Sequence, residues 1–85
     1  MYVKIDLSVV PPEIVLEEPD DFKRFELRIE RVEHAHVDVA ALKRLAGERA
    51  SDPAWLERLD GMLAYAESKG WVREDGAVRA HVEWA

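Results

Sequence analysis

The sequence contains no cysteine, asparagine, glutamine or threonine. The missing cysteine excludes a disulfide framework, thiol catalysis and thiolate metal ligation together, and suits a reducing cytosol. Without side-chain amides, uncharged polar chemistry comes down to Ser8, Ser51, Ser68 and the two tyrosines. None of the serines sits in a glycine-flanked elbow or beside an acid–histidine pair in sequence, and Ser51 and Ser68 read as helix-terminus residues. The glycines stand alone at 47, 61, 70 and 76, so there is no phosphate-cradling loop. No apolar run approaches the ~20 residues that span a bilayer. Lys4 and Asp6 interrupt the unbroken apolar stretch a signal peptide needs. The expectation is a cytoplasmic chain with no export signal or membrane anchor. Its narrow alphabet, with twice as many arginines as lysines, reads as the codon bias of a GC-rich bacterial genome.

What is there describes an ordinary globular protein: 85 residues, 48% hydrophobic and 35% charged, in one expected domain covering 1–85. A domain this short buries only ~60–65% of its unfolded surface, so a partner or self-association would add stability. Of the eighteen acidic residues, Glu13, Glu17, Glu18, Asp20 and Asp21 crowd into positions 13–21 with no base among them. Most of the net charge of −6 belongs to that segment, and the rest of the chain is nearly neutral.

Residues 2–9 alternate with period two, placing Val3, Ile5, Leu7 and Val9 on one side and Lys4, Asp6 and Ser8 on the other. That pattern predicts a half-buried strand, ended by Pro11-Pro12. The acidic segment to Asp21 is expected to be an extended connection. Residues 22–32 alternate again, with Phe25, Leu27 and Ile29 inward and Arg24, Glu26, Arg28 and Glu30 outward. The phase slips at Glu30-Arg31, which predicts a bulge or a break. Asp38 before an apolar run that Gly47 closes marks a short helix. Asp52-Pro53 opens a longer one, whose apolar face is Trp55, Leu56, Leu59, Met62, Leu63 and Ala66 and whose end is Gly70. Gly61 in its middle suggests a close crossing by another backbone. Asp75-Gly76 between Trp71-Val72-Arg73 and 77–84 signals a hairpin.

The predicted order is β-β-α-α-β-β. It implies an α+β fold of two layers, a mainly antiparallel sheet covered by a helical hairpin over 38–69. The expected core is Val3, Ile5, Leu7, Phe25, Leu27, Ile29, Leu42, Leu45, Leu56, Leu59, Leu63, Val78 and Val82.

The sharpest cluster is His34-Ala35-His36-Val37-Asp38. Residues two apart on a strand share a side, so His34, His36 and Asp38 converge in principle, and His81 on the last strand extends the set to a weak divalent-metal site. The string resembles the His-x-His-x-Asp motif of the metallo-β-lactamase superfamily over these five residues. That family continues with a further histidine where this chain has Val39, and its αβ/βα sandwich is far longer than this chain, so no activity is carried over. The favoured reading is instead two solvent-facing imidazoles, His34 and His36, with Ala35, Val37 and Val39 on the buried side and Asp38 engaged as a helix cap. No cofactor is expected.

A helix, a turn, a longer helix and a hairpin also follow one another as in a winged-helix nucleic-acid binder. The second helix, however, carries Glu57, Asp60 and Glu67 against Arg58 and Lys69, the wrong sign for gripping phosphates. The favoured expectation is a non-enzymatic accessory or regulatory protein that binds a protein partner or forms a homodimer. Three tryptophans in so short a chain, Trp55, Trp71 and Trp84, are candidate anchors, because indoles concentrate at interface centres. Ile14 and Leu16 inside the acidic segment are candidates for contact with a partner.

Overall fold

The computed structural model describes all residues, Met1 to Ala85. Two chain segments, 2–10 and 26–37, run side by side in parallel and organise everything else. The first contains β1 (Tyr2–Asp6) and β2 (Val9–Val10), and the second contains β4 (Glu26–Ile29) and β5 (His34–Val37). β1 pairs with β4, and β2 with β5. Ile5 is opposite Ile29 and Val9 is opposite His36, so the second segment holds three more residues than the first between the two pairings. Those extra residues cannot stay in the ladder. The sheet breaks there, where the alternation slips phase at Glu30-Arg31.

The break divides the strands into two three-stranded sheets. In the first, β1 is central, flanked by β4 and by β3 (Glu13–Glu17), which pairs antiparallel to it. In the second, β5 is central, flanked by β2 and by β6 (Val78–His81), again antiparallel. Asp6 makes the turn between the sheets: its carboxylate accepts hydrogen bonds from the Ser8 N–H and Oγ–H, bending the chain out of β1 and into β2.

Between β5 and β6 come α1 (Val39–Ala46), a 3₁₀ turn over Gly47–Ser51 and α2 (Pro53–Ser68). Both helices start as the sequence indicates. The Asp38 carboxylate accepts from the Ala41 N–H at 3.0 Å, and Asp52 accepts from the Ala54 N–H at 3.0 Å with Pro53 at the first helical position. Helix α2 ends where Gly70 takes φ +75°, which lets the Trp71 N–H reach back to the Ala66 carbonyl. The helical pair lies on the second sheet, with α2 against β6. The class is therefore α+β, with a helical layer on a sheet. No helix is long and apolar enough to cross a membrane.

Only five residues are buried, Ala35, Ala41, Leu59, Ala66 and Ala77, and no large side chain is fully enclosed. The radius of gyration is 16.6 Å, against about 12 Å for a compact chain of this length. The molecule is drawn out to 54 × 28 × 28 Å.

Several expectations are corrected. Phe25, Leu27, Ile29 and Leu45, assigned to the core, are exposed. Leu27 and Ile29 belong to a sheet that no helix covers, and Phe25 directly precedes its strand β4. Leu45 lies on the outer side of a short helix. Met62 of the presumed apolar face of α2 is also exposed. The acidic connection contains a strand, β3, because Ile14 and Leu16 face the same side as Val3 and Ile5. The second strand begins only at Glu26. The hairpin after Trp71 is reduced to a bridge between Val72 and Val78. A Cβ at Gly61 would meet nothing within 4 Å, so no backbone crosses α2 there.

Candidate interaction surface

The first sheet has one purely aliphatic face, and its composition follows from register alone. Opposed residues of neighbouring strands point to the same side. Val3 is flanked by Leu16 and Leu27, and Ile5 by Ile14 and Ile29. These six side chains occupy two cross-sheet rows. Nothing lies on them: Ile14 is 65% exposed, Leu16 51%, Leu27 60% and Ile29 50%. Phe22 and Phe25, just before β4, are more exposed still.

The reverse face is polar. Lys4 stands between Val15 and Arg28, and Tyr2 between Glu17 and Glu26. The Arg28 guanidinium sits 3.6 Å over the Tyr2 ring and 3.2 Å from Glu26 Oε2. Hydrogen bonds from Ser8 hold the Asp6 carboxyl below its ordinary value. One face of the sheet is thus suited to water, and the other is not.

On the second sheet, His34 and His81 are cross-strand partners, with ring centroids 5.8 Å apart in an edge-on arrangement. His36 is instead opposite Arg79. His81 Nε2 lies 3.2 Å from Glu83 Oε1, and Asp38 is occupied as the α1 cap. Two of the three candidate imidazoles come together. No set of three histidine or carboxylate ligands forms around a common point.

Two of the three tryptophans make specific contacts within the chain. Trp84 donates from Nε1 to the Val32 carbonyl at 2.8 Å and lies under the Arg31 guanidinium at 4.8 Å, beside the break between the sheets, and stays 40% exposed. Trp71 meets Tyr65 edge-on at 6.0 Å and carries Arg79 on its ring at 5.1 Å. Trp55 is half-buried in the first turn of α2. Beside Trp71 an apolar hollow of about 330 Å³ opens between α2 and the second sheet, lined by Leu42, Met62, Leu63 and Val78 among others.

The aliphatic face thus unites residues that the sequence placed apart, in a loop and in the core. Ile14 and Leu16 were candidates for contact, and Leu27, Ile29 and Phe25 were assigned to the core. The structure puts the first four on one face. The pairing of β1 with both β3 and β4 unites them, and only the alternation within each strand hinted at it. Comparison of the chain with protein-family models, with curated proteins and with solved structures gives no match.

Proposed function

We propose that the chain is a non-enzymatic protein-interaction module whose docking surface is the aliphatic face of the first sheet. One observation carries this reading. Six aliphatic residues, Val3, Ile5, Ile14, Leu16, Leu27 and Ile29, share one sheet face, and the four on its outer strands are half or more exposed. Soluble proteins rarely leave a contiguous apolar surface uncovered unless it meets another molecule. The polar reverse face marks which side faces solvent. The neutral face between charged margins has the anatomy of an interface core with a polar rim.

Carbene footprinting tests the reading. The chain is labelled at high dilution, at high concentration, and in an extract of the cells that make it. Leu16, Leu27 and Ile29 are expected to label strongly at high dilution and to be protected in at least one of the other two conditions. Equal labelling in all three contradicts the reading.

A further inference from the structure

We infer that the occupant of this face is a second copy of the chain, docked about a two-fold axis that runs along the strands and lays β3 of each copy over β4 of the other. This deepens the interaction reading above and rests on it.

Surface area is the first support. The chain exposes 6814 Å², whereas a compact protein of 9.8 kDa exposes about 5,200 Å². The excess is roughly 1,600 Å² per chain, about twice the ~800 Å² that each partner contributes to a standard stable interface. The exposed side chains of the face, with Phe22 and Phe25 beside it, are part of that surface. A chain with so little enclosed apolar surface needs its cover throughout its life, and an identical chain is always available in equal amount.

Charge selects the axis. The β3 edge carries Glu13, Glu17 and Glu18 with no base, while the β4 edge carries Lys23, Arg24, Arg28 and Arg31 against Glu26 and Glu30. Glu13, Glu17, Glu26 and Arg28 stand on the polar reverse face with Asp6, Tyr2 and Lys4, so they act across the sandwich at long range rather than in contact. An axis lying across the strands would bring acidic edge beside acidic edge, whereas an axis parallel to the strands brings acidic beside basic, twice, as an isologous interface repeats every contact.

Register then fixes the contacts. Leu16 and Leu27 share the level of Val3, and Ile14 and Ile29 share the level of Ile5. A two-fold axis along the strands preserves level while exchanging sides, so Leu16 meets the Leu27 of the other copy and Ile14 meets its Ile29. Val3 and Ile5 meet their own equivalents near the axis. The product is a sandwich of two three-stranded sheets, about 10 Å apart and twisted relative to one another. The second sheets and helices of both copies continue from the same end of the sandwich, the end at which β1 and β4 finish.

The test is complementation. Leu16→Glu and Leu27→Lys are made separately, and helix content and tryptophan fluorescence report whether the second sheet and its helices are intact. Each variant alone is expected to sediment as one chain, and an equimolar mixture to recover twice the 9.8 kDa mass. A mixture that stays at one-chain mass overturns the axis. Because the chain has no cysteine, a second readout does not depend on those variants. Val3→Cys is expected to form an oxidative cross-link with itself, and Leu16→Cys a cross-link chiefly with Leu27→Cys. Random cross-linking among all of them overturns the arrangement. If purified wild-type chain is monomeric while the face is protected only in extract, self-association fails and the interaction reading stands. If the face is unprotected everywhere, both fail.

Discussion

Leu16 on β3 and Leu27 on β4 flank Val3 at the same level of the first sheet, and each is more than half exposed. Neither can contribute a full core burial within one chain. Leu→Ala changes in a closed core cost about 2–5 kcal/mol. Here Leu16→Ser and Leu27→Ser are expected to cost much less in dilute solution, and to abolish the stabilisation that rises with protein concentration. Urea midpoints at two concentrations a hundredfold apart check this: the wild-type midpoint moves upward and the variant midpoints do not.

The helix starts depend on two carboxylates. Asp38→Ala and Asp52→Ala each remove an acceptor that holds a first-turn N–H at 3.0 Å. Each is expected to lower stability by about 1 kcal/mol, and Asp38→Asn by much less, measured by thermal unfolding at fixed concentration.

Two glycines are expected to behave oppositely. Gly76 has φ +85° in the turn between Arg73 and Ala77, so Gly76→Ala forces a side chain into the left-handed region and is expected to destabilise by about 1 kcal/mol. Gly61 lies inside α2 with open space where a Cβ would stand. Gly61→Ala is expected to stabilise by about 0.5–1 kcal/mol. Denaturant curves on the two variants check both signs.

Asp6 and Asp75 hold their protons below the ordinary carboxyl value of 3.8, Asp6 through the Ser8 hydrogen bonds and Asp75 through Arg73. A carboxyl depressed on folding binds protons more readily when unfolded. Its contribution is therefore present above the ordinary value and is lost as pH falls through the depressed one. Carboxyl carbon titrations are expected to give midpoints below 3.8 for both residues. Ser8→Ala should return Asp6, and Arg73→Ala should return Asp75, toward the usual value.

Much of the helical half was legible, because its signals are local. Asp38, Gly47, Asp52-Pro53 and Gly70 bound the helices through contacts a few residues long, and Asp75-Gly76 turns the chain where expected. The phase slip at Glu30-Arg31 also proved physical: it is the surplus of three residues that breaks the sheet. The first sheet was less readable. Alternation in 22–32 states that Leu27 and Ile29 share a side, but it does not state what covers that side. Five acids around Ile14-Val15-Leu16 look like a solvated loop until β1 supplies a ladder for them. The parallel pairing of β1 with β4 joins residues 24 apart, and no short-range pattern encodes it. Gly61 misled for a related reason, since its low helix propensity is tolerated in α2 without any crossing partner.

Sedimentation equilibrium of the purified wild-type chain, from sub-micromolar to hundreds of micromolar, bears most directly on the claim that the aliphatic face is covered by a second copy. The expected result is a reversible rise from 9.8 kDa to twice that mass and no further, accompanied by protection of Leu16, Leu27 and Ile29. A single-chain mass across the whole range, with those side chains freely labelled, would contradict it.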